Sequence, residues 1–393
     1  MKNKQKIVFI SSRFPLPLVG GFEIKNFQLL KSLSTEFEVS AHFITHAAPA
    51  PEYLNTIKSL CKYKIYKPKK SEVLLKLIIN IFTGEPLQNA LYFCKIAAHE
   101  IKYDLDSADA AICSVIRTCE YIENFDGPKF FDLADSLGQV YQANIQRSSG
   151  FYKLAYRIES PRLLRKEQTL AQRAAGVFFF NKNEASRYAS SKSIMVVPHG
   201  VNEEIFSIDG IDEDFRDGVT FIGKLSVAHN VDMIKWFSTH VLPILPDNIK
   251  LYLIGAGANQ ELQSLARSNG RIIITGFLDN PYLALRASIA CICPLQTGGG
   301  VQNKVIESLA SGSLTIATSK AASAFNNPNE SGILVCDTPA EWRNTIIDIT
   351  RNPNKYQSNR EIGRNYAARH FSWKTYSSMI LDKIKSSLTK KEA

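Results

Sequence analysis

Residues 294–312 place three consecutive glycines, a lysine and a glutamate at a spacing suited to a phosphorylated ligand. The segment reads Pro-Leu-Gln-Thr-Gly-Gly-Gly-Val-Gln-Asn-Lys-Val-Ile-Glu-Ser-Leu-Ala-Ser-Gly. Gly298, Gly299 and Gly300 precede a helical pattern in which Val301, Val305, Ile306, Leu309 and Ala310 share one face. Glycines just before a helix start leave backbone N–H groups free and let an anion approach closely. Gln302, Lys304 and Glu307 follow within two turns, near enough to meet a ligand held there. A cation and a carboxylate so placed suit phosphate at one end of a ligand and hydroxyls at the other, which describes a nucleotide. Without such a ligand the segment is a turn joining strand to helix, its charged residues solvated. Taken alone it argues for phosphate binding and names no reaction.

Other residues extend this chemistry. The first apolar run leads through Ser-Ser-Arg-Phe-Pro-Leu-Pro-Leu-Val to Gly20 and Gly21, then into a helical pattern with Ile24, Phe27, Leu30 and Leu33 on one face. Paired glycines at a strand-to-helix turn suggest close approach of a phosphate or sugar, or a proline-rich turn that needs positive φ. Gly223 and Lys224 end a later apolar run, where a lysine can neutralise a diphosphate or simply be solvated. Leu-Ile-Gly-Ala-Gly-Ala-Asn-Gln, residues 253–260, has only the first two glycines of a dinucleotide fingerprint and sits mid-chain, so it reads as a tight turn. Asp132 and Asp135 close another apolar run, at a strand end. Their spacing is one residue longer than an Asp-x-Asp metal site, and no metal site is expected.

The elements that must carry these residues are short apolar runs alternating with amphipathic helical stretches, the signature of parallel sheets covered by helices. In the first half the runs fall at 7–10, 39–44, 110–116, 130–134, 177–180 and 194–197, and in the second at 219–222, 251–254, 272–275, 289–293, 314–318 and 333–336. Each half has enough strands for its own doubly wound sheet. The expected fold class is α/β, with two Rossmann-like parallel-sheet domains facing a central cleft. The domains run over residues 1–198 and 199–373. A hinge at Pro198-His199-Gly-Val-Asn202 and an acidic linker over 209–217 separate them, and a terminal helix, 374–393, packs back on the first.

With 393 residues, two domains are the natural expectation. No apolar stretch approaches the ~18–20 residues needed to span a bilayer, and the basic N-terminus leads into a run too short for a secretion signal. Seven cysteines show neither a CxxC pair nor metal spacing, which fits reduced core thiols and a cytoplasmic protein. The net charge of +10 is concentrated in residues 1–200, which carry 27 Lys+Arg against 18 Asp+Glu. Much of that excess lies in Lys58, Lys62, Lys64, Lys67, Lys69, Lys70 and Lys76, interleaved with Tyr63, Tyr66, Leu74, Leu75 and Leu77. Such a segment, 58–76, either attracts an anionic surface, with the inner face of a membrane in view, or is a solvated loop-and-helix face. Nucleic acid is not expected, because no recognised binding motif accompanies the charge.

In order along the chain these motifs resemble the family 4 glycosyltransferases, of GT-B architecture. The resemblance rests on the first strand with Gly20-Gly21, Val197-Pro-His-Gly-Val-Asn202, Phe221-Ile-Gly-Lys-Leu225, Leu253-Ile-Gly-Ala-Gly257, Ile274-Thr-Gly-Phe277, residues 294–312 and Phe371-Ser-Trp373. It covers nearly the whole chain. It implies a metal-independent transferase without cofactor, moving a sugar with retention from a nucleotide-diphosphate donor to a glycan or lipid-linked acceptor in cell-surface polysaccharide synthesis. It implies catalytic roles for Lys224 and Lys304, with donor contacts from Gly20, Gly21, Gly223, Gly298, Gly299, Gly300, Val301, Gln302 and Glu307. Asp132, Asp135 and His199 are the acceptor or cleft candidates. Two positions depart from the family pattern: His229-Asn230 replaces its Lys-Gly pair, and Gly299 stands where its first glutamate would be. Competing classes are a nicotinamide oxidoreductase, disfavoured by the broken fingerprint, a sugar-nucleotide epimerase of the same architecture, and a catalytically silent binding or assembly partner.

Overall fold

A computed structural model describes residues 4–18, 21–296, 302–323, 325 and 330–392. Gly20, Gly298, Gly299, Gly300 and Val301 lie outside the described residues. The chain divides into two units, Met1–Pro198 with Tyr376–Ala393, and His199–Thr375.

The first unit holds β1 (Lys6–Ser11), β2 (Glu38–Ile44), β3 (Lys62–Tyr66), β4 (Ala110–Ser114), β5 (Lys129–Ala134), β6 (Gly176–Phe179) and β7 (Ile194–Val196). They form one parallel sheet in the order β3-β2-β1-β4-β5-β6-β7. Ile7, Val8, Phe9 and Ile10 are all buried, because helices cover both faces of such a sheet and no face is left for polar residues. Strand β3 is a correction to the sequence reading. Its Lys-Tyr-Lys-Ile-Tyr pattern alternates exposed lysines with inward Tyr63 and Ile65, and looks like a basic loop until β2 pairs with it. Lysines on an edge strand also discourage pairing with a second chain.

The second unit holds β8 (Gly218–Ile222), β9 (Lys250–Ile254), β10 (Ile272–Gly276), β11 (Cys291–Cys293), β12 (Thr315–Ala317) and β13 (Ile333–Val335). Its sheet is again parallel, ordered β10-β9-β8-β11-β12-β13. Strand order reverses between β1 and β4 in one unit and between β8 and β11 in the other. In open sheets of this kind, ligands bind outside the carboxyl ends of strands at that reversal.

The expected linker over 209–217 is instead part of the second unit. Phe215 is buried there, its ring 4.7 Å from that of Tyr252, and the Tyr252 hydroxyl donates to Asp217. Residues 199–202 and the 371–373 motif meet within the same unit. The Val201 N–H donates to the Phe371 carbonyl at 2.7 Å, and a β-carbon on Gly200 would overlap the Trp373 indole. The terminal helix, Trp373–Glu392, buries Tyr376, Ile380, Ile384 and Leu388 at every fourth position, one stripe down its length.

Candidate functional site

In the second unit, β8 is followed by Gly223, whose φ of 149° favours glycine. A β-carbon there would lie 3.1 Å from the Asn230 amide nitrogen and 3.7 Å from Lys304 Cε. The glycine therefore lets those two side chains close over the strand end. The helix Asn303–Ser311 begins two residues after Val301, where the sequence pattern starts its helical face. Val305, Ile306, Leu309 and Ala310 seat it in the core, and Gly312 ends it in the left-handed conformation.

That seating buries Lys304, which is only 7% exposed. Its ammonium donates to Asn230 Oδ1 at 2.9 Å and to Gln302 Oε1 at 3.4 Å, and lies 5.0 Å from the centre of the Phe221 ring. Burial pulls its pKa below the ordinary lysine value. Among the described residues it has no carboxylate ion-pair partner. A buried cation held only by amides is costly, and an anion beside it offsets the cost. Asn230 in turn donates to the Lys224 carbonyl at 2.8 Å, tying the β8 turn to the Lys304 helix. The Lys224 side chain is exposed.

Glu307 lies one turn beyond Lys304 and is half-buried. Burial pushes its carboxyl up to about 7, against the opposing pull of Lys304. No hydrogen bond reaches that carboxylate from the described residues. Burial and the Glu307 charge together raise the Tyr282 phenol, so the two side chains are electrostatic neighbours. A carboxylate that gains hydroxyl donors returns to its ionised form. Lys304 and Glu307 thus offer a cation for phosphate and, one turn further on, an acceptor for hydroxyls.

The Gly255 and Gly257 pair has a packing explanation. Gly255 has φ of 142°, and a β-carbon on it would overlap the Gly223 carbonyl oxygen. The ends of β8 and β9 meet there without side chains between them. His199 lies beside Trp373, ring centres 5.1 Å apart, and is not brought together with the Lys304 cluster by any described contact.

In the first unit, Gly21 opens the helix Gly21–Glu36. Lys25 on that helix is 1% exposed, and its ammonium donates to Asp132 Oδ2 at 2.6 Å and to Ser114 Oγ at 3.1 Å. The Tyr376 hydroxyl donates to the same Asp132 oxygen at 2.6 Å. Asp132 is thus fully buried and clasps the first and last helices to β5, while Asp135 stands exposed just past the strand end. Sequence reasoning missed Lys25 and Tyr376, and met Asn230 only as a departure from the family's Lys-Gly pair. The side chains they hold, Asp132 and Lys304, are 74 to 244 residues away, and only the polar residue inside an apolar helical face was there to see. At this end of the sheet Val115 and Ala134, at the ends of β4 and β5, both have φ of 62°. Ser12 Oγ and both polar atoms of the Asn26 side chain are buried without a partner among the described residues. Strained backbone and unpaired polar atoms of this kind gather at functional sites.

The segment 58–76 is less free than its lysine count suggests. Lys62 pairs with Glu38, Lys64 with Glu100 and Lys76 with Glu120, each at 2.9 Å. Lys58, Lys67, Lys69 and Lys70 make no ion pair among the described residues and stand exposed. Among the described residues no group of three or more His, Cys, Asp or Glu side chains converges to hold a metal, and no helix is long and apolar enough to cross a membrane.

Two doubly wound parallel sheets in sequence define the GT-B class of glycosyltransferase structures, and the chain has that fold. Residues 216–352 match the family model described as Glycosyl transferases group 1. That span contains Gly223, Lys224, Asn230, Gly255, Lys304 and Glu307. The solved structure of Anabaena Alr3699/HepE in complex with UDP is similar at a TM-score of 0.67 and 13% identity, covering 97% of this chain and 100% of that one. The same protein was also solved with UDP-glucose. Sucrose-phosphate synthase from Thermosynechococcus elongatus is similar at a TM-score of 0.64 and 15% identity, over 98% of this chain and 100% of that one. A glycosyltransferase from Rickettsia africae is similar at 0.63 and 12%, over 98% and 99%. No curated protein matches the chain.

Proposed function

We propose that the protein is a retaining, metal-independent glycosyltransferase whose second unit binds a nucleotide-diphosphate sugar. The observation that carries this reading is Lys304, an ammonium buried at the sheet's reversal point with amide partners and, among the described residues, no counter-ion, one turn before a carboxylate to which no described residue donates a hydrogen bond. In the reading, Lys304 and Lys224 stabilise the diphosphate, and Glu307 accepts the ribose hydroxyls. The bond from the sugar's anomeric carbon to the phosphate oxygen breaks as the acceptor hydroxyl forms the new one. The acceptor's proton leaves with the diphosphate. Charge accumulates on the departing group, so fixed cations there stabilise the transition state more than the ground state. The acceptor is a glycan or lipid-linked glycan, the pathway is cell-surface polysaccharide synthesis, and the place is the cytoplasmic face of a membrane. Seven free thiols, six of them buried, support a reducing compartment.

A panel of nucleotide sugars tests this, because a ligand that binds only the folded state raises the melting temperature by mass action. One donor should stabilise the protein and be hydrolysed slowly in excess chelator, releasing sugar with its anomeric configuration kept, as read by proton NMR. Absence of any stabilising donor, a strict divalent-metal requirement or inverted product each removes the corresponding part of the proposal. A second reading, a silent nucleotide-sugar-binding partner, is favoured by Gly299 at the place of a glutamate. Stabilisation without turnover, with the acceptor supplied, would select it.

A further inference from the structure

The helix Lys70–Thr83 is built inside out for a globular protein. Its outward side carries Leu74, Leu75, Ile78, Ile79, Ile81 and Phe82, all exposed, with Phe82 at 85%. At 100° per residue these six occupy a sector of about 160°. The opposite side, which faces the protein, sets polar groups beside only two half-buried apolar residues, Val73 and Leu77. Asn80 is its buried residue, Lys76 pairs with Glu120, and Glu72 accepts from the Lys95 N–H. A helix that merely covers a core turns its larger apolar row inward.

Charge adds a second observation. Lys67, Lys69 and Lys70 are exposed and, among the described residues, without ion-pair partners at the amino-terminal end of this helix. Cations there oppose the helix dipole, and Lys69, at the N-cap, gives the helix no side-chain hydrogen bond. These lysines do not serve the helix. An apolar face edged by cations complements an anionic bilayer, whose headgroups meet the lysines while the acyl chains take the apolar row. With 14 residues the helix is about 21 Å long, too short to span, and suited to lying in the interfacial plane.

We infer that the helix Lys70–Thr83 is a membrane-insertion element, entering the headgroup region of an anionic bilayer through its outward apolar row, with Lys67, Lys69 and Lys70 on the lipid phosphates. This assigns attachment to insertion rather than to the lysine cluster as a whole, since Lys62, Lys64 and Lys76 already have acidic partners. It shares no residue with the donor site and stands or falls without it.

Co-sedimentation of the full chain with vesicles of phosphatidylethanolamine and phosphatidylglycerol, against vesicles of phosphatidylcholine alone, provides the test. The parent should bind the anionic vesicles and lose binding in high salt. The Leu75→Ser/Phe82→Ser variant should bind at least about tenfold more weakly, from the apolar area withheld from lipid. The Lys67→Gln/Lys69→Gln/Lys70→Gln variant should lose about fivefold per lysine. Both should melt like the parent, because the replaced side chains are exposed. Phe82→Trp provides a second readout, a blue shift in emission on vesicle addition. Absence of parent binding, undiminished binding by the serine variant, or no emission shift overturns the proposal. So does a dimer that the serine variant dissociates while vesicles have no effect, since the apolar row would then face a second copy.

Discussion

Glu307 makes the proposed donor site testable by pH alone. In the free protein its carboxyl is pushed from the ordinary 4.5 up to about 7. The folded state is therefore penalised above about pH 7, and the penalty is relieved as pH falls through that value toward 4.5. A donor whose ribose hydroxyls bond to the carboxylate favours the ionised form and draws the value back down. If the complex restores 4.5, the shift is worth about 3 kcal/mol. Binding then takes up no proton penalty at about pH 8, but must expel a proton at about pH 5.5, so affinity falls about 25-fold between them. The assay is calorimetric titration with UDP-glucose, or with whichever nucleotide sugar the stability screen selects. A diphosphate diester has no ionisation of its own in this range. Repeating the titration near pH 6 in two buffers of different ionisation enthalpy should show release of close to one proton. Glu307→Gln should remove both the slope and the proton release, and bind about 1–2 kcal/mol more weakly at about pH 8, where a charge-assisted acceptor has become neutral. A parent affinity that is flat across the range, or a glutamine variant that keeps the slope, would refute the assignment of this carboxylate to the ligand.

Lys304→Met should cost about 2–3 kcal/mol of nucleotide-sugar affinity, while exposed Lys224→Ala should lower kcat more than it raises KM; steady-state kinetics at saturating donor separates the two. Gly255→Ala should destabilise the protein by about 3 kcal/mol or more, because the new β-carbon has nowhere to go and the backbone conformation favours glycine. Chemical denaturation reads this, and unchanged stability with lost donor binding would instead make the turn a phosphate loop. Tyr376→Phe should cost about 1–2 kcal/mol by removing one hydrogen bond to Asp132. Lys25→Met should cost about 3–5 kcal/mol by leaving that carboxylate buried and uncompensated, and equal melting temperatures for the two variants would contradict the clasp.

The sequence by itself determined the alternation of strands and helices, hence two parallel sheets. A strand buried on both faces has to be apolar throughout, so runs such as 7–10 and 251–254 announce themselves without their neighbours. It also placed Lys304 and Glu307 one turn apart after a glycine run, since helical spacing is local. The edge strand β3 was not legible, because an edge strand is half solvated and its period-two pattern held lysines. Nor could sequence decide why a glycine is a glycine: Gly255 is there for the Gly223 carbonyl, a contact made only when β8 and β9 align. Tertiary structure alone gave Lys304 its Asn230 partner, Asp132 its Lys25 and Tyr376, and the helix Lys70–Thr83 its outward apolar face. Each depends on which side of an element meets the rest of the chain. Periodicity shows that a helix has two unlike sides, and only packing decides which of them is left facing out.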